Sequence, residues 1–457
     1  MNKKFKLEYI LLSLILIVGF VVRLYKIDNP IADWHSWRQA DTASVSKTFV
    51  ESGVNLLYPR YHDVSSIQTG IFNPEGYRMV EFPIYNAVHA GLFKIFPNVN
   101  LELLGRLLTS FISIISAVFI FLLGKKYANT KVGLLTAFFF IFLPFNIYFS
   151  RVVLPDPLGV LFAVAGLYFF EKSVVLSGLV FALALLQKPY FAFYLLPFTS
   201  FFMDKKNLRN TLTFAFLILA PFFAWRMWTS QFPEGIPFWD WAFNGDRIRF
   251  HLAFWKWLFG ERLGIIILGG WGLILFAAAL IKKNVNKFIL RFLVGMFLYV
   301  SVVASANVRH DYYQILIIPA VSLALADGAF WLWSRSKILV LFSIFLMLLI
   351  GWDRVKPFYQ VNHYEIIEAG KVVDEITPKD ALVVTPYNGD TAFLYATNRR
   401  GWPAVDSSID NIIEKGADYY VSVDLASADT LQFSKIFATL KKTDKFIILD
   451  LHKRLKK

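Results

Sequence analysis

Eight residues, His35-Ser-Trp-Arg-Gln-Ala-Asp-Thr42, set an imidazole, a guanidinium and a carboxylate beside a tryptophan just beyond the first long apolar run. Ionisable groups at a membrane's edge are costly to desolvate, so they mark a cavity where something polar or charged is handled. Asp41, Asp33 eight residues earlier and Arg38 are the charged groups of this segment. Val80-Glu-Phe-Pro-Ile-Tyr85 adds Glu81 and Tyr85, and Leu154-Pro-Asp-Pro-Leu158 adds Asp156. Leu185-Leu-Gln-Lys-Pro-Tyr190 adds Lys188, and Arg309-His-Asp-Tyr-Tyr313 adds Arg309, His310, Tyr312 and Tyr313. Carboxylates and cations gathered at outer helix ends describe a cavity for an amphiphile with an anionic headgroup.

Each of these residues has a structural reading too. Asp41 fits the N-cap of a helix over Thr42 to Phe49, and Asp156 between two prolines fits the start of a span. Lys188 can snorkel to the interface, Glu81 can be a solvated loop acid, and Arg309 to Asp311 can anchor a span. His35, His62 and His89 share one outer loop, but their separations match no standard ligand spacing. No cofactor is therefore expected, a divalent metal being the one that this loop would admit.

The elements that must position these groups are membrane helices. The chain has 457 residues, of which 56% are hydrophobic and 18% aromatic, and it carries no cysteine. Disulfides, thiolate metal sites and a cysteine nucleophile are thereby excluded. Apolar windows of span length recur from Tyr9 to Trp352, and the short alternating segments of a β-barrel are absent. About eleven spans are predicted, at 9–25, 103–123, 132–150, 157–172, 174–187, 190–203, 211–228, 263–281, 288–305, 314–333 and 337–352. The first run, Tyr9 to Val22, follows Lys3, Lys4 and Lys6 as a signal peptide would. It ends in Arg23-Leu-Tyr-Lys26 with no small-residue cleavage site, and is read as a retained first helix.

The formal charge of +14 does not gather on one face as a nucleic-acid surface would. Lys125, Lys126 and Lys131, then Lys205, Lys206 and Arg209, then Lys282, Lys283, Lys287 and Arg291, then Arg335 and Lys337 fall in short loops. Such loops mark the cytoplasmic side. The expected product is an integral protein of a bacterial-type inner or plasma membrane, with a cytoplasmic N-terminus, an extracytoplasmic C-terminal part and no nucleic-acid partner.

Three outer segments stand out. Residues 26–102 form a long first outer loop, in which Phe82 to Phe96 reads as a helix lying along the outer leaflet. Residues 229–262 are rich in Trp, Phe and Arg, as a loop at headgroup depth would be. After Trp352 the composition turns soluble, with apolar runs at Ala381 to Thr385, Tyr419 to Val423 and Phe446 to Leu449. Helical patterns at Glu365 to Val373, Ile409 to Lys415 and Leu431 to Leu440 accompany them, predicting a small α/β domain with a partly parallel sheet. The expected fold class is thus a polytopic α-helical membrane domain over 1–352 with an extracytoplasmic α/β domain over 353–457.

The order of these motifs resembles the GT-C superfamily of glycosyltransferases, and within it glycosyltransferase family 39, which includes protein O-mannosyltransferases and the lipid A aminoarabinose transferase. Trp37-Arg-Gln-Ala-Asp-Thr42 stands where that family has its acidic first-loop motif, and Glu81-Phe-Pro-Ile-Tyr85 where it has a Pro-containing motif. Pro155-Asp-Pro-Leu158 is similar to its second-loop Asp motif, and Leu185-Leu-Gln-Lys-Pro189 to the element whose lysine meets lipid phosphate. Tyr312-Tyr-Gln-Ile-Leu-Ile-Ile-Pro319 is similar to its late Tyr and Pro motif. Thr42 stands where the family has a Glu, which shifts the catalytic weight to Asp41 alone.

The resemblance covers residues 9–352 and implies an inverting glycosyltransferase that moves a hexosyl or pentosyl unit from a polyprenyl-phosphate donor. The acceptor, a protein, lipid or glycan of the cell envelope, would be met at the outer face. Asp41 would take its proton, and Lys188, Arg38 and Arg309 would meet the donor phosphate. Asp156, Glu81, Tyr85, His310, Tyr312, Tyr313 and Asp33 would line the pocket. A leaving phosphate is already a stable anion, so it needs positive charge rather than an acid. The rival readings are a flippase or transporter of lipid-linked saccharides, for which the internal repeat is missing, and a non-enzymatic scaffold.

Overall fold

The computed structural model describes residues 7–245 and 247–456; Lys3, Lys4 and Lys6 lie outside the described residues. The chain forms two compact units, one of residues 1–27, 106–226 and 239–358, the other of residues 28–105, 227–238 and 359–457.

The first unit is helical and apolar. Leu101–Tyr127, Lys205–Thr229, Asp311–Trp333 and Lys337–Tyr359 are long and apolar enough to cross a membrane. Leu252–Ile267 and Gly272–Ile281 form a fifth such segment, bent by 117° at a short break. The chain is an integral membrane protein. The count of about eleven is not reached by this measure, and proline explains part of the shortfall. Pro144 divides the segment expected at 132–150 into Thr130–Phe142 and Pro144–Phe149, because the ring removes an amide and clashes with the preceding turn. Pro189 and Pro197 leave the segment expected at 190–203 as a 3-10 helix over Pro189–Phe198 followed by Thr199–Phe202. Leu7–Arg23 and Lys287–Val302 are apolar helices of 17 and 16 residues. The bent pair, Lys287–Val302 and the segment from Gln314 to Val321 line an apolar groove of about 290 Å³, to which Phe259, Leu293 and Phe297 contribute.

The second unit carries helix Ser36–Ser52, which buries Arg38, Gln39, Asp41, Thr42, Ser44 and Ser46 together with Ala40, Ala43, Val45 and Phe49. A helix with so polar a buried face needs internal partners. Thr42, Ser46 and Thr48 return their hydroxyls to the carbonyls four residues back. Gly53, at φ 89°, ends the helix in a conformation open to glycine. The amphipathic stretch around residue 90 forms helix Ile84–Ile95, shorter than expected, and Asn86 joins it to helix Ser36–Ser52 by donating to Thr42 O at 2.7 Å.

The tail supplies a five-stranded mixed sheet in the order β2-β1-β3-β5-β4, with β1 Leu382–Val384, β2 Arg400–Trp402, β3 Ala417–Ser422, β4 Phe437–Lys442 and β5 Ile447–Arg454. β1 pairs in parallel with β2 and β3, while β5 runs antiparallel to β3 and β4. The helix expected over Leu431 to Leu440 is corrected: a helix covers Ala428–Phe433 and β4 begins at Phe437. Beside β2, His62 to Val64 extends the ladder, with Gly401 N donating to His62 O and Val64 N to Gly401 O. A side chain at position 401 would meet Val383 O at 1.8 Å, so only glycine fits there. Val64, Trp402, Tyr420 and Leu449 share the buried core of this sheet.

Candidate active site

Asp41 is the sixth residue of its helix, not an N-cap, so its carboxylate projects sideways instead of binding the helix's own amides. It is 1% exposed. Its Oδ2 lies 2.8 Å from Arg78 Nη2, and its Oδ1 accepts from Thr391 Oγ1 at 2.7 Å. One helical turn earlier, Arg38 pairs with Glu81 at 2.6 Å. These four charged residues, with Thr42, Val45, Pro59, Pro83 and Asn86, line a narrow pocket of about 10 Å³, room for about one water. Two cations face two anions in a buried place, so each charge has a nearby counter-charge that offsets its desolvation. Thr42, which stands where a second carboxylate was expected by resemblance, donates to Arg38 O at 2.9 Å and braces the helix.

Asp33 and Tyr85 are not among the residues lining this pocket. Asp33 Oδ1 accepts from Gln39 Nε2 at 2.7 Å, and the Tyr85 hydroxyl donates to Gly105 O at 2.9 Å. Next to the pocket, Arg78 lies over the Tyr61 ring at 5.2 Å and donates to Gln68. Burial pushes the Asp63 carboxyl up to about 6, with Asp41 adding to the shift and bonds from Ser65 opposing it. Burial lowers His62 to about 3, helped by the nearby charges of Lys47 and Arg400. Burial also raises Asp390.

The first unit holds the other expected residues as a separate cluster. Pro189 stops helix Val174–Gln187 and leaves Lys188 extended, as the residue before a proline must be. Lys188 Nζ is 2.5 Å from Asp156 Oδ1, at the head of helix Asp156–Phe169, and lies 4.4 Å from the Tyr313 ring centre and 5.0 Å from that of Tyr312. His310 stacks on Tyr312 at 5.6 Å, and the Arg309 guanidinium lies over Trp241 at 5.7 Å. Asp311 pairs with Arg262.

Sequence reasoning therefore names both clusters, but misses Arg78, Thr391 and Arg262. Arg78 sits only three residues before Glu81, a signal that was readable. Nothing local ties Thr391 to Asp41, 350 residues earlier. Among the described residues no group of three or more His, Asp or Glu is placed to hold a metal ion. Asp41 and Glu81, each facing an arginine, do not make a donor set that suits a divalent cation.

The sequence matches no protein-family model and no curated protein. The structure is similar to that of ArnT from Cupriavidus metallidurans bound to undecaprenyl phosphate, with TM-score 0.66, 12% identity, and coverage of 96% of this chain and 97% of that one. It is also similar to the Archaeoglobus fulgidus oligosaccharyltransferase in complex with zinc and sulfate, with TM-score 0.59, 10% identity, and coverage of 91% and 68%. A third is the oligosaccharyltransferase AglB of that organism with an inhibitory peptide and a dolichol-phosphate, with TM-score 0.56, 10% identity, and coverage of 95% and 74%. Along nearly its whole length, then, the chain shares the fold of these two membrane proteins, ArnT and the archaeal oligosaccharyltransferase.

Proposed function

We propose that this protein is an inverting glycosyltransferase that moves a hexosyl or pentosyl unit from a polyprenyl-phosphate donor to an acceptor at the outer face of a bacterial-type membrane. The observation that carries the reading is the pocket in which one buried carboxylate, Asp41, stands among Arg38, Arg78 and Glu81. Support also comes from fold neighbours that hold undecaprenyl phosphate or dolichol-phosphate.

In this reading Asp41 takes the proton of the acceptor hydroxyl or amine, whose lone pair forms the new bond at the anomeric carbon. The bond from that carbon to the phosphate oxygen breaks, its electron pair stays on the phosphate, and the configuration inverts. Lys188 and Arg309 of the helical unit are assigned the donor phosphate, whose departure their positive charge favours, and Arg38 is the cation beside the base. Glu81 orients Arg38, and Asp156 with Tyr312 and Tyr313 holds Lys188 in a fixed place. His310 is an acceptor-side contact, while Tyr85 and Asp33 brace the helices from outside the pocket. The apolar groove suits an isoprenoid chain. No step draws on a metal, and the acceptor is a protein, lipid or glycan of the cell envelope.

The test is transfer of radiolabelled sugar from a panel of polyprenyl-phosphate donors to membrane extracts, with purified wild type and Asp41→Asn. Product from the wild type alone supports the reading. Movement of labelled lipid across liposomes, with no sugar released from any donor, would replace it with a flippase.

A further inference from the structure

Thr391 occupies the N-cap position of the short helix Ala392–Ala396, where a threonine hydroxyl ordinarily binds one of the first amides. It makes no such bond; Asp390 Oδ1 accepts from Ala392 N at 2.7 Å instead. The Thr391 hydroxyl lies 2.7 Å from Asp41 Oδ1 and 3.1 Å from Trp37 O. It has one proton to give, and a buried carboxylate at the shorter distance is the stronger acceptor.

The local chain is shaped for this contact. Tyr387-Asn-Gly-Asp390 is a tight turn closed by Asp390 N donating to Tyr387 O at 2.8 Å. Asn388 and Gly389 have φ of 52° and 76°, the left-handed pair that an Asn-Gly sequence adopts most readily. The turn delivers two adjacent side chains to one helix, because Asp390 Oδ2 also accepts from Ser36 Oγ at 2.7 Å. Arg78 holds the opposite oxygen of Asp41. Rotation of the carboxylate about its last bond would break both contacts, so the pair fixes which lone pairs can face the pocket.

We propose that Thr391 is a positioning residue for Asp41, so that the tail of the chain completes the active site as well as standing near it. This rests on the reading of Asp41 as base. A base held within a few tenths of an ångström of its working geometry gives up less of the entropic advantage of a bound acceptor.

The experiment uses the full-length protein with the donor found active above, and compares wild type, Thr391→Val and Thr391→Ser in kcat, donor KM and unfolding midpoint. Thr391→Val is expected to lower kcat roughly 10- to 100-fold with donor KM within about twofold, and Thr391→Ser to keep kcat within about threefold. Equal kcat in wild type and Thr391→Val would overturn the proposal. So would an equal loss in Thr391→Ser, since a serine keeps the hydroxyl. If Thr391→Val does not fold, Thr391→Ala against Thr391→Ser isolates the same oxygen, and equal kcat in those two overturns it as well. Full activity of Asp41→Asn would instead remove the base reading, an outcome read on a different residue.

Discussion

Arg78 Nη2 lies 2.8 Å from Asp41 Oδ2, with the two side chains 8% and 0% exposed, so the candidate base is a buried, ion-paired carboxylate. Pairing fixes the direction of the base. Arg38 with Glu81 repeats the arrangement one turn away, so the pocket holds two charges of each sign. Each buried charge in such a site keeps a counter-charge beside it.

Removal of Arg78 is expected to cost far more than removal of the pair. Arg78→Met strands the Asp41 carboxylate and should destabilise the protein by about 3–5 kcal/mol, whereas Arg78→Met with Asp41→Leu should recover most of that loss. Denaturant unfolding of the four members of this double-mutant cycle measures it. Additive losses would mean that the ion pair carries no coupling.

His62 and Asp63 are expected to have opposite effects on acid stability. The His62 ring, lowered to about 3, stays neutral in the fold where the unfolded chain takes a proton below about 6.5, so its contribution falls as pH drops. Asp63, raised to about 6, keeps its proton in the fold where the unfolded chain has lost it, so its contribution is present below about pH 4 and is lost as pH rises through about 6. The two slopes are each about 1.4 kcal/mol per pH unit and oppose one another between about pH 4 and 6. His62→Phe keeps the ring stacked on Tyr395, which lies 5.8 Å away at 19°, and should make the protein more stable on acidification. Asp63→Asn should do the reverse. Unfolding midpoints across that window check both signs.

Lys188 is held by Asp156 and two tyrosine faces, an arrangement that limits where its ammonium can go. Lys188→Met is expected to raise donor KM roughly 10- to 100-fold, and Tyr313→Leu to raise it less, by up to about tenfold. Initial rates over a range of donor concentrations decide this, and an unchanged KM in Lys188→Met would remove the phosphate role.

Much of the fold was legible in the chain because apolar length and turn residues act locally. The helix from Leu101, the helix ending at Gln187 before Lys188 and Pro189, and strands β1, β3 and β5 follow from their own residues. β2, a three-residue strand around Gly401, has no pattern long enough to read. β4 overlaps the helix expected over Leu431 to Leu440 because Phe433, Phe437 and Leu440 fall at a helical spacing although the chain turns to strand at Phe437. Prolines inside apolar runs, such as Pro144 and Pro197, shortened helices that hydropathy alone would extend. The acidic and basic site residues were legible from their types, but their partners were not: Arg78 and Thr391 reach Asp41 only through the folded chain. A motif also says nothing of direction, and Tyr85 and Asp33 prove to turn their polar atoms to Gly105 and Gln39.

The measurement that bears most directly on the account is the release of free polyprenyl phosphate from a sugar-loaded donor by purified wild type and Asp41→Asn, with the anomeric configuration of the product read by NMR. One lipid phosphate freed per sugar transferred, an inverted anomeric centre, and a rate lowered by roughly 10²- to 10⁴-fold in Asp41→Asn are the predicted results. Retained configuration, or equal rates in the two proteins, would contradict a single displacement with Asp41 as base.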